Sequence, residues 1–266
     1  MIIPINFEQL YRTYNKRKYV HPDPVECLFC YHNLCDREIA AFVASALAYG
    51  NVRQILKSVA SVLDPMGPSP STFLFQTSTD ALREMFKNFS HRFATGEHLA
   101  EMLLGLKHAV KTSGSLYHCF LENFRIDDET ILPALTLFVK SITDDGTYQP
   151  GHLIPLPERG SACKRLNLFL RWLVRSDEVD PGGWDGIPGS RLIVPLDTHM
   201  HRICLSLGFT KRRQADMRTA LEITTAFKKI VPEDPARYDF SLTRFGIRKD
   251  MKWGEENGPR LKVQGG

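Results

Sequence analysis

The chain has 266 residues and a net charge of +4, with 43% hydrophobic and 24% charged residues. That balance excludes a disordered chain, a collagen-like fibre and a secreted disulfide knot. No apolar run nears the roughly 20 residues of a membrane-spanning helix, and the opening Met1-Ile2-Ile3-Pro4-Ile5-Asn6 has no basic n-region. A cytoplasmic protein without a membrane partner is expected, its six cysteines (27, 30, 35, 119, 163, 204) reduced.

Helical periodicity runs through the chain. A helix is predicted over 7–19, with Phe7, Leu10, Tyr11 and Tyr14 on one face, before the break at His21-Pro22-Asp23-Pro24. Asp36 reads as the N-cap of a helix over 36–48, carrying Ile39, Phe42, Val43, Ala46 and Leu47. Tyr49-Gly50-Asn51 reads as a turn. A helix over 52–63 should end at Asp64-Pro65, with a Pro/Gly/Ser loop through Ser71. Further helices fit 79–88, 96–113, 115–123 and 130–143. The apolar stretches 25–31 and 192–196 are the nearest to strands, and both are short. The fold class is all-α.

A Pro- and Gly-containing loop leads through Leu156-Pro157-Glu158-Arg159-Gly160 to a helix over 161–175. Ala162, Leu166, Phe169, Leu170 and Leu173 form its apolar stripe. Lys164, Arg171 and Arg175 share another side, because steps of seven and four return near one azimuth. The loop 177–191 carries Trp184. Asp197 is placed to cap a helix running through residue 207, and helices follow over 215–230 and 238–245. The polar tail from residue 255 is expected to fray. Residues 199–266 hold 14 basic and 8 acidic side chains, a net of +6 concentrated in Lys211-Arg212-Arg213, Lys228-Lys229, Arg244, Arg248-Lys249 and Lys252. This is either a solvated face or a phosphate-binding one.

The chemistry-bearing pattern is Lys164 in a first turn and Asp197 at an N-cap. A Gly-containing turn ahead of a helix presents backbone N–H groups, which suits a phosphate. An amine there can serve as a nucleophile, and a nearby carboxylate can steer its proton or stabilise a cationic sugar. Cys27, Cys30 and Cys35, with His21 and His32 near, form only one Cys-x-x-Cys, short of the two paired knuckles of a closed zinc site. No metal is expected from them; a metal- or thiol-dependent regulator using these cysteines is the third reading. Cys163, at a helix start, is read as a thiol whose pKa the helix lowers.

Leu156-Pro157-x-x-Gly160, then Lys164, then Asp197-Thr198-His199-x-x-Arg202-Ile203 resembles the helix-hairpin-helix DNA glycosylase superfamily, which includes endonuclease III and the 8-oxoguanine glycosylases. Ala44-Ser45-Ala46-Leu47-Ala48 is similar to the segment near that superfamily's base-flipping wedge, and 238–246 to its closing helix. The strings 14–24 and 163–172 resemble a bacterial family of unknown function within it. The sequence departs at Glu158-Arg159, where a Gly-x pair is usual, and in Lys164 standing four residues after Gly160 rather than two. Lys164 and Asp197 are also 33 positions apart, a wide gap, and no cysteine follows Cys204 to hold an iron–sulfur cluster.

The resemblance implies two helical lobes with a cleft between them. One lobe, 26–178, would contain the helix-hairpin-helix; residues 1–25 and 179–266 would form the other. It implies catalysis by Lys164 and Asp197, and DNA contacts from Gly160, Ser161, Arg165, His199, Arg202, Tyr49 and Asn51. Trp184 is weighed both as a base-stacking residue of the pocket and as a packed loop anchor. The expected partner is double-stranded DNA bearing a lesion, a damaged and oxidised purine being the expected base, bound by a monomer without cofactor. The alternative is a non-catalytic DNA- or RNA-binding helix-hairpin-helix protein.

Overall fold

In the computed structural model, residues 4–247 and 262–263 are described. Apart from those last two, the tail expected to fray lies outside them, as do Arg248, Lys249 and Lys252 of the basic cluster. The described chain is mostly helical, and its strands are two residues long. None of the described helices is long and apolar enough to cross a membrane.

Twelve α-helices are described: α1 (Phe7–Tyr14), α2 (Leu34–Ala46), α3 (Val52–Met66), α4 (Pro70–Gln76), α5 (Thr79–Phe86), α6 (Gly96–Ser113), α7 (Leu116–Leu121), α8 (Leu132–Thr143), α9 (Lys164–Val174), α10 (Thr198–Ser206), α11 (Met217–Lys228) and α12 (Asp239–Ile247). The expected helix over 7–19 divides, because Asn15 stops α1 and a separate 3-10 turn forms over Arg17–Tyr19. Val25 to Tyr31 is no strand; Pro24–Cys30 is a 3-10 helix capped by Asp23. Residues 192–196 run without strand pairing.

Two capping assignments change. Asn33, not Asp36, caps α2, through Oδ1 to the amides of Cys35 and Asp36. Asp36 is buried, and its Oδ1 accepts from the hydroxyls of Ser69 and Ser71 and from the Ser71 amide in the first turn of α4. That bond holds a short helix where a loop was expected. Pro65 does not end α3, which continues to Met66 before Gly67 takes φ +68°.

The core has two aromatic clusters. In the first, Trp184 packs edge-on against Phe169 at 5.2 Å and lies 5.7 Å from Phe120, while Phe138 stacks on Phe169 at 6.1 Å. It joins α2, α7, α8, α9 and the 177–191 loop. In the second, Phe7 of α1 meets Phe209, Phe227 of α11 and Tyr238 at 5.3–6.1 Å. Helix α2 packs on α9, and α12 packs on both α1 and α10.

Buried charge ties α9 to this second group of elements. Arg171 is fully enclosed, pairing with Asp239 of α12 through Nη1 and with Asp180 through Nε and Nη2 at 3.2 and 3.0 Å. Arg175 donates to the second oxygen of Asp180 at 2.8 Å and also meets Asp177 and Asp234. The side of α9 read as basic is therefore an internal ion-pair ladder, and its arginines are closed to solvent. Tyr11 extends it, donating to Asp177 at 3.1 Å.

One other buried acid matters. Glu38 accepts from the Leu116 and Tyr117 amides and from the Trp184 indole, at 2.9–3.1 Å. Burial pushes its carboxyl up to about 7 despite those three donors.

Two outcomes are expected. Asp180→Ala removes the carboxylate shared by two buried guanidinium groups, leaving each with fewer partners, and lowers stability by about 3–5 kcal/mol in denaturant titrations. Because Glu38 is raised in the folded state, its contribution is full below the unfolded carboxyl range and is lost as pH rises through about 7. The stability difference between wild type and Glu38→Gln should therefore shift against wild type across that window; a pH-independent difference contradicts the assignment.

Candidate functional site

Helix α9 starts later than its apolar pattern suggests. Gly160 at φ +74° and Cys163 at φ +48° both adopt left-handed backbone, so regular helix begins at Lys164 instead of residue 161. Cys163 supplies no side-chain cap, leaving the first-turn amides of α9 without one. Its thiol is buried, and burial pushes it up to about 11, opposite to the lowering expected from the helix end. Desolvation outweighs the Ser161 hydrogen bond and the Arg165 charge, which both lower it.

Asp197 and Lys164 meet. The Lys164 amine lies 3.5 Å from Asp197 Oδ2 and 3.4 Å from the carbonyl of Ala48. The other carboxylate oxygen, Oδ1, accepts from the amides of His199 and Met200 at 2.9 and 2.8 Å, capping α10. Capping and contact with the amine thus use different oxygens of one side chain, and neither role excludes the other. The two side chains are 31% and 25% exposed, so the pair is reachable from solvent.

A third helix start joins them. Asp239, the first residue of α12, is buried against Arg171. Burial pushes its carboxyl up to about 6; Arg171 opposes that rise, Asp197 adds to it and Lys164 opposes it. The amino ends of α9, α10 and α12 therefore share one electrostatic neighbourhood.

The α2–α3 turn lies beside the amine. Tyr49 is held: its hydroxyl donates to the His91 carbonyl at 3.0 Å, its ring meets the His91 ring edge-on at 4.6 Å, and the Arg165 guanidinium sits 4.8 Å from the ring centre. His91 is itself buried between Ser58 Oγ at 2.9 Å and the Tyr49 carbonyl at 3.1 Å. Asn51 is exposed and caps α3 by accepting from the Arg53 amide.

The other residues singled out from the sequence fall in two groups. His199 and Arg202 are exposed on α10, Ser161 is exposed, and Gly160 is open enough that a Cβ there would touch nothing. The Gly160 carbonyl is engaged by the Met217 amide at 2.9 Å, which docks the turn on the start of α11. Arg165, in contrast, spends its guanidinium internally, on the Ala46 carbonyl at 2.8 Å and on the carbonyls of His152 and Leu153. Trp184 is fully buried in the first aromatic cluster with its indole on Glu38, so it is a loop anchor and does not line an open pocket. Of the basic run, Arg212 is tied to Asp216 and Thr219, while Lys211 and Arg213 are exposed. Among the described residues, no group of three or more His, Cys, Asp or Glu is arranged to hold a metal ion.

Sequence reasoning did not find Phe93. Ser90–His91 pairs with Ala94–Thr95 in a two-residue hairpin whose turn is Arg92-Phe93, with Arg92 at φ +53°. Phe93 is 64% exposed, 5.6 Å from the His152 ring. The turn abuts the α2–α3 turn, since a Cβ on Gly50 would come within 2.9 Å of Arg92 Cδ. Two-residue strands without a turn glycine leave no period-2 signal to read.

Residues 23–248 match the family described as "Protein of unknown function (DUF2400)". No curated protein and no solved structure matches the chain.

Trp184→Ala is expected to cost about 3–5 kcal/mol, as for a large core aromatic. Phe93→Ala should stay within about 0.5 kcal/mol of wild type. Thermal or urea unfolding of both variants checks the pair; a neutral Trp184 substitution contradicts the anchor role.

Proposed function

The chain belongs to this family, and we propose that it is a DNA glycosylase with associated lyase activity, acting on duplex DNA that carries a damaged, oxidised purine. The observation that carries the reading is the contact of the Lys164 amine with one Asp197 oxygen at 3.5 Å, across 33 positions of sequence, at a solvent-reachable place. The spacing that departs most from the resembling superfamily is thus closed by the fold.

In this reading the DNA is bent and the target nucleotide is turned out toward the pair, at a cost of a few kcal/mol. The uncapped first-turn amides of α9 face a backbone phosphate, with Gly160 and Ser161 at the preceding turn. Phe93 enters the gap left in the duplex, and Asn51 lies beside it. His199, Arg202, Lys211 and Arg213 add exposed side chains for the phosphates.

The chemistry needs only the pair. Lys164 forms a bond from its nitrogen to C1′ as the glycosidic bond breaks, and the base departs with the bonding electrons. Asp197 accepts the proton shed by the amine and offsets positive charge on the sugar. Opening of the sugar ring gives a Schiff base. Loss of a C2′ proton then expels the 3′ phosphate.

One observation favours a second reading, a non-catalytic nucleic-acid-binding protein. The Leu156–Gly160 turn is a 3-10 segment whose Glu158 pairs with Lys140 at 2.8 Å, a changed form of the hairpin. Borohydride trapping on duplexes bearing 8-oxoguanine or an abasic site separates the two. A covalent adduct is expected with wild type and is lost in Lys164→Ala, while Asp197→Asn slows it by about 10²-fold or more. Salt-dependent binding with neither adduct nor base release supports the second reading.

A further inference from the structure

The hairpin that carries Phe93 and the turn that touches the Lys164 amine are joined by a reciprocal pair of bonds. The Tyr49 hydroxyl donates to the His91 carbonyl at 3.0 Å, and the His91 ring reaches the Tyr49 carbonyl at 3.1 Å through Nε2. A carbonyl can only accept, so Nε2 carries the proton of that bond. In the neutral ring Nδ1 then accepts from the Ser58 hydroxyl at 2.9 Å, and both nitrogens of the buried ring are engaged.

The consequence lies in the carbonyls on either side of Tyr49. The Tyr49 carbonyl is held by His91, while the Ala48 carbonyl accepts from the Lys164 amine at 3.4 Å. Only the two torsions of Tyr49 separate those peptide planes. Fixing one therefore fixes the direction in which the other meets the amine. Gly50 follows at φ +100°, with no room for a Cβ beside Arg92, so the turn keeps one shape while the hairpin stays in place. A second route runs through Arg165, the neighbour of Lys164 in α9. Its guanidinium lies 4.8 Å from the Tyr49 ring and donates to the Ala46 and His152 carbonyls, and the His152 ring is 5.6 Å from Phe93.

From these contacts we infer that His91 and Tyr49 are positioning residues for the Lys164 amine: their reciprocal bonds make the hairpin, the α2–α3 turn and the Ala48 carbonyl one rigid unit, so that seating the hairpin tip on a duplex sets where the amine stands relative to Asp197. The inference rests on the proposed roles of Lys164 and Phe93. Neither His91 nor Tyr49 touches substrate. The amine has one acceptor on α10 and one on the α2–α3 turn, and loosening the second lets it swing.

Three variants of the full chain test it. Tyr49→Phe removes one bond and keeps the ring, His91→Ala removes the other, and His91→Gln keeps an amide donor for the Tyr49 carbonyl. Acylation with a succinimidyl ester at one pH, quantified lysine by lysine by mass spectrometry, reads the hold on the amine without DNA. Labelling of Lys164 relative to the other lysines is expected to rise about threefold in Tyr49→Phe and in His91→Ala, and to return toward wild type in His91→Gln. In single-turnover borohydride trapping on an abasic duplex, the first two variants should lose about tenfold in rate while duplex affinity holds, and His91→Gln should recover rate. Unchanged Lys164 labelling in folded Tyr49→Phe, or a loss of rate that merely follows a loss of duplex affinity, overturns the inference. Should His91→Ala not fold, Tyr49→Phe decides alone. Raised labelling with no adduct even in wild type upholds the positioning and removes the glycosylase reading; an adduct whose rate ignores every substitution, with labelling equally unmoved, does the reverse.

Discussion

The rest of the structure depends on a row of ion pairs along one side of α9. Positions 164, 171 and 175 lie near one azimuth of a helix. At the carboxyl-terminal end of that row, Arg171 and Arg175 are sealed between Asp180, Asp239, Asp177 and Asp234. Only Lys164, at the amino-terminal end, reaches solvent. A buried ion pair adds little net stability over an apolar one, but losing one partner leaves a charge in low dielectric. Such a ladder therefore acts chiefly as a register device. It joins α9 to the 177–180 turn and to α12, and α12 packs on α10, whose cap is Asp197.

That register explains how a loop of unusual length can lie between Lys164 and Asp197 without separating them. The segment from Asp177 to Trp184 does not wander. Asp177 accepts the amides of Val179 and Asp180, the Gly182 amide returns to the Trp172 carbonyl, and Trp184 is sunk among Phe120, Phe138 and Phe169. Arg37 of α2 holds the same stretch from the other side, through the Gly182 carbonyl at 3.0 Å. The excess residues are spent on structure, and the distance along the chain carries no distance in space.

The face around the pair has a rigid base and a free edge. Arg165, Tyr49 and His91 interlock beneath it, each satisfied by backbone carbonyls or rings. Asn51, Phe93, His199 and Arg202 stand out of it. Residue type alone does not sort these groups: Arg165, Arg171 and Arg212 are arginines like Arg202, yet they are bound within the protein. What sorts them is burial: Arg202 donates only to the Thr198 carbonyl one turn back on its own helix and stays exposed, whereas the others are held by partners from other turns and elements.

Sequence by itself determined the helical class, because apolar residues recur at helical spacing from Phe7 to Leu242; α6 was legible to the residue, with Thr95 ahead of it and Gly114 behind. It also determined that Lys164 and Asp197 each stand at a helix start, since glycine turns and N-cap residues are local signals. Tertiary structure alone decided that the two meet, that Asp36 binds Ser69 and Ser71 at the start of α4 instead of capping α2, that Trp184 and Arg171 are interior, and that Phe93 is not. Local propensity is set within a turn or two of chain, whereas burial and pairing depend on which distant element arrives at the same place.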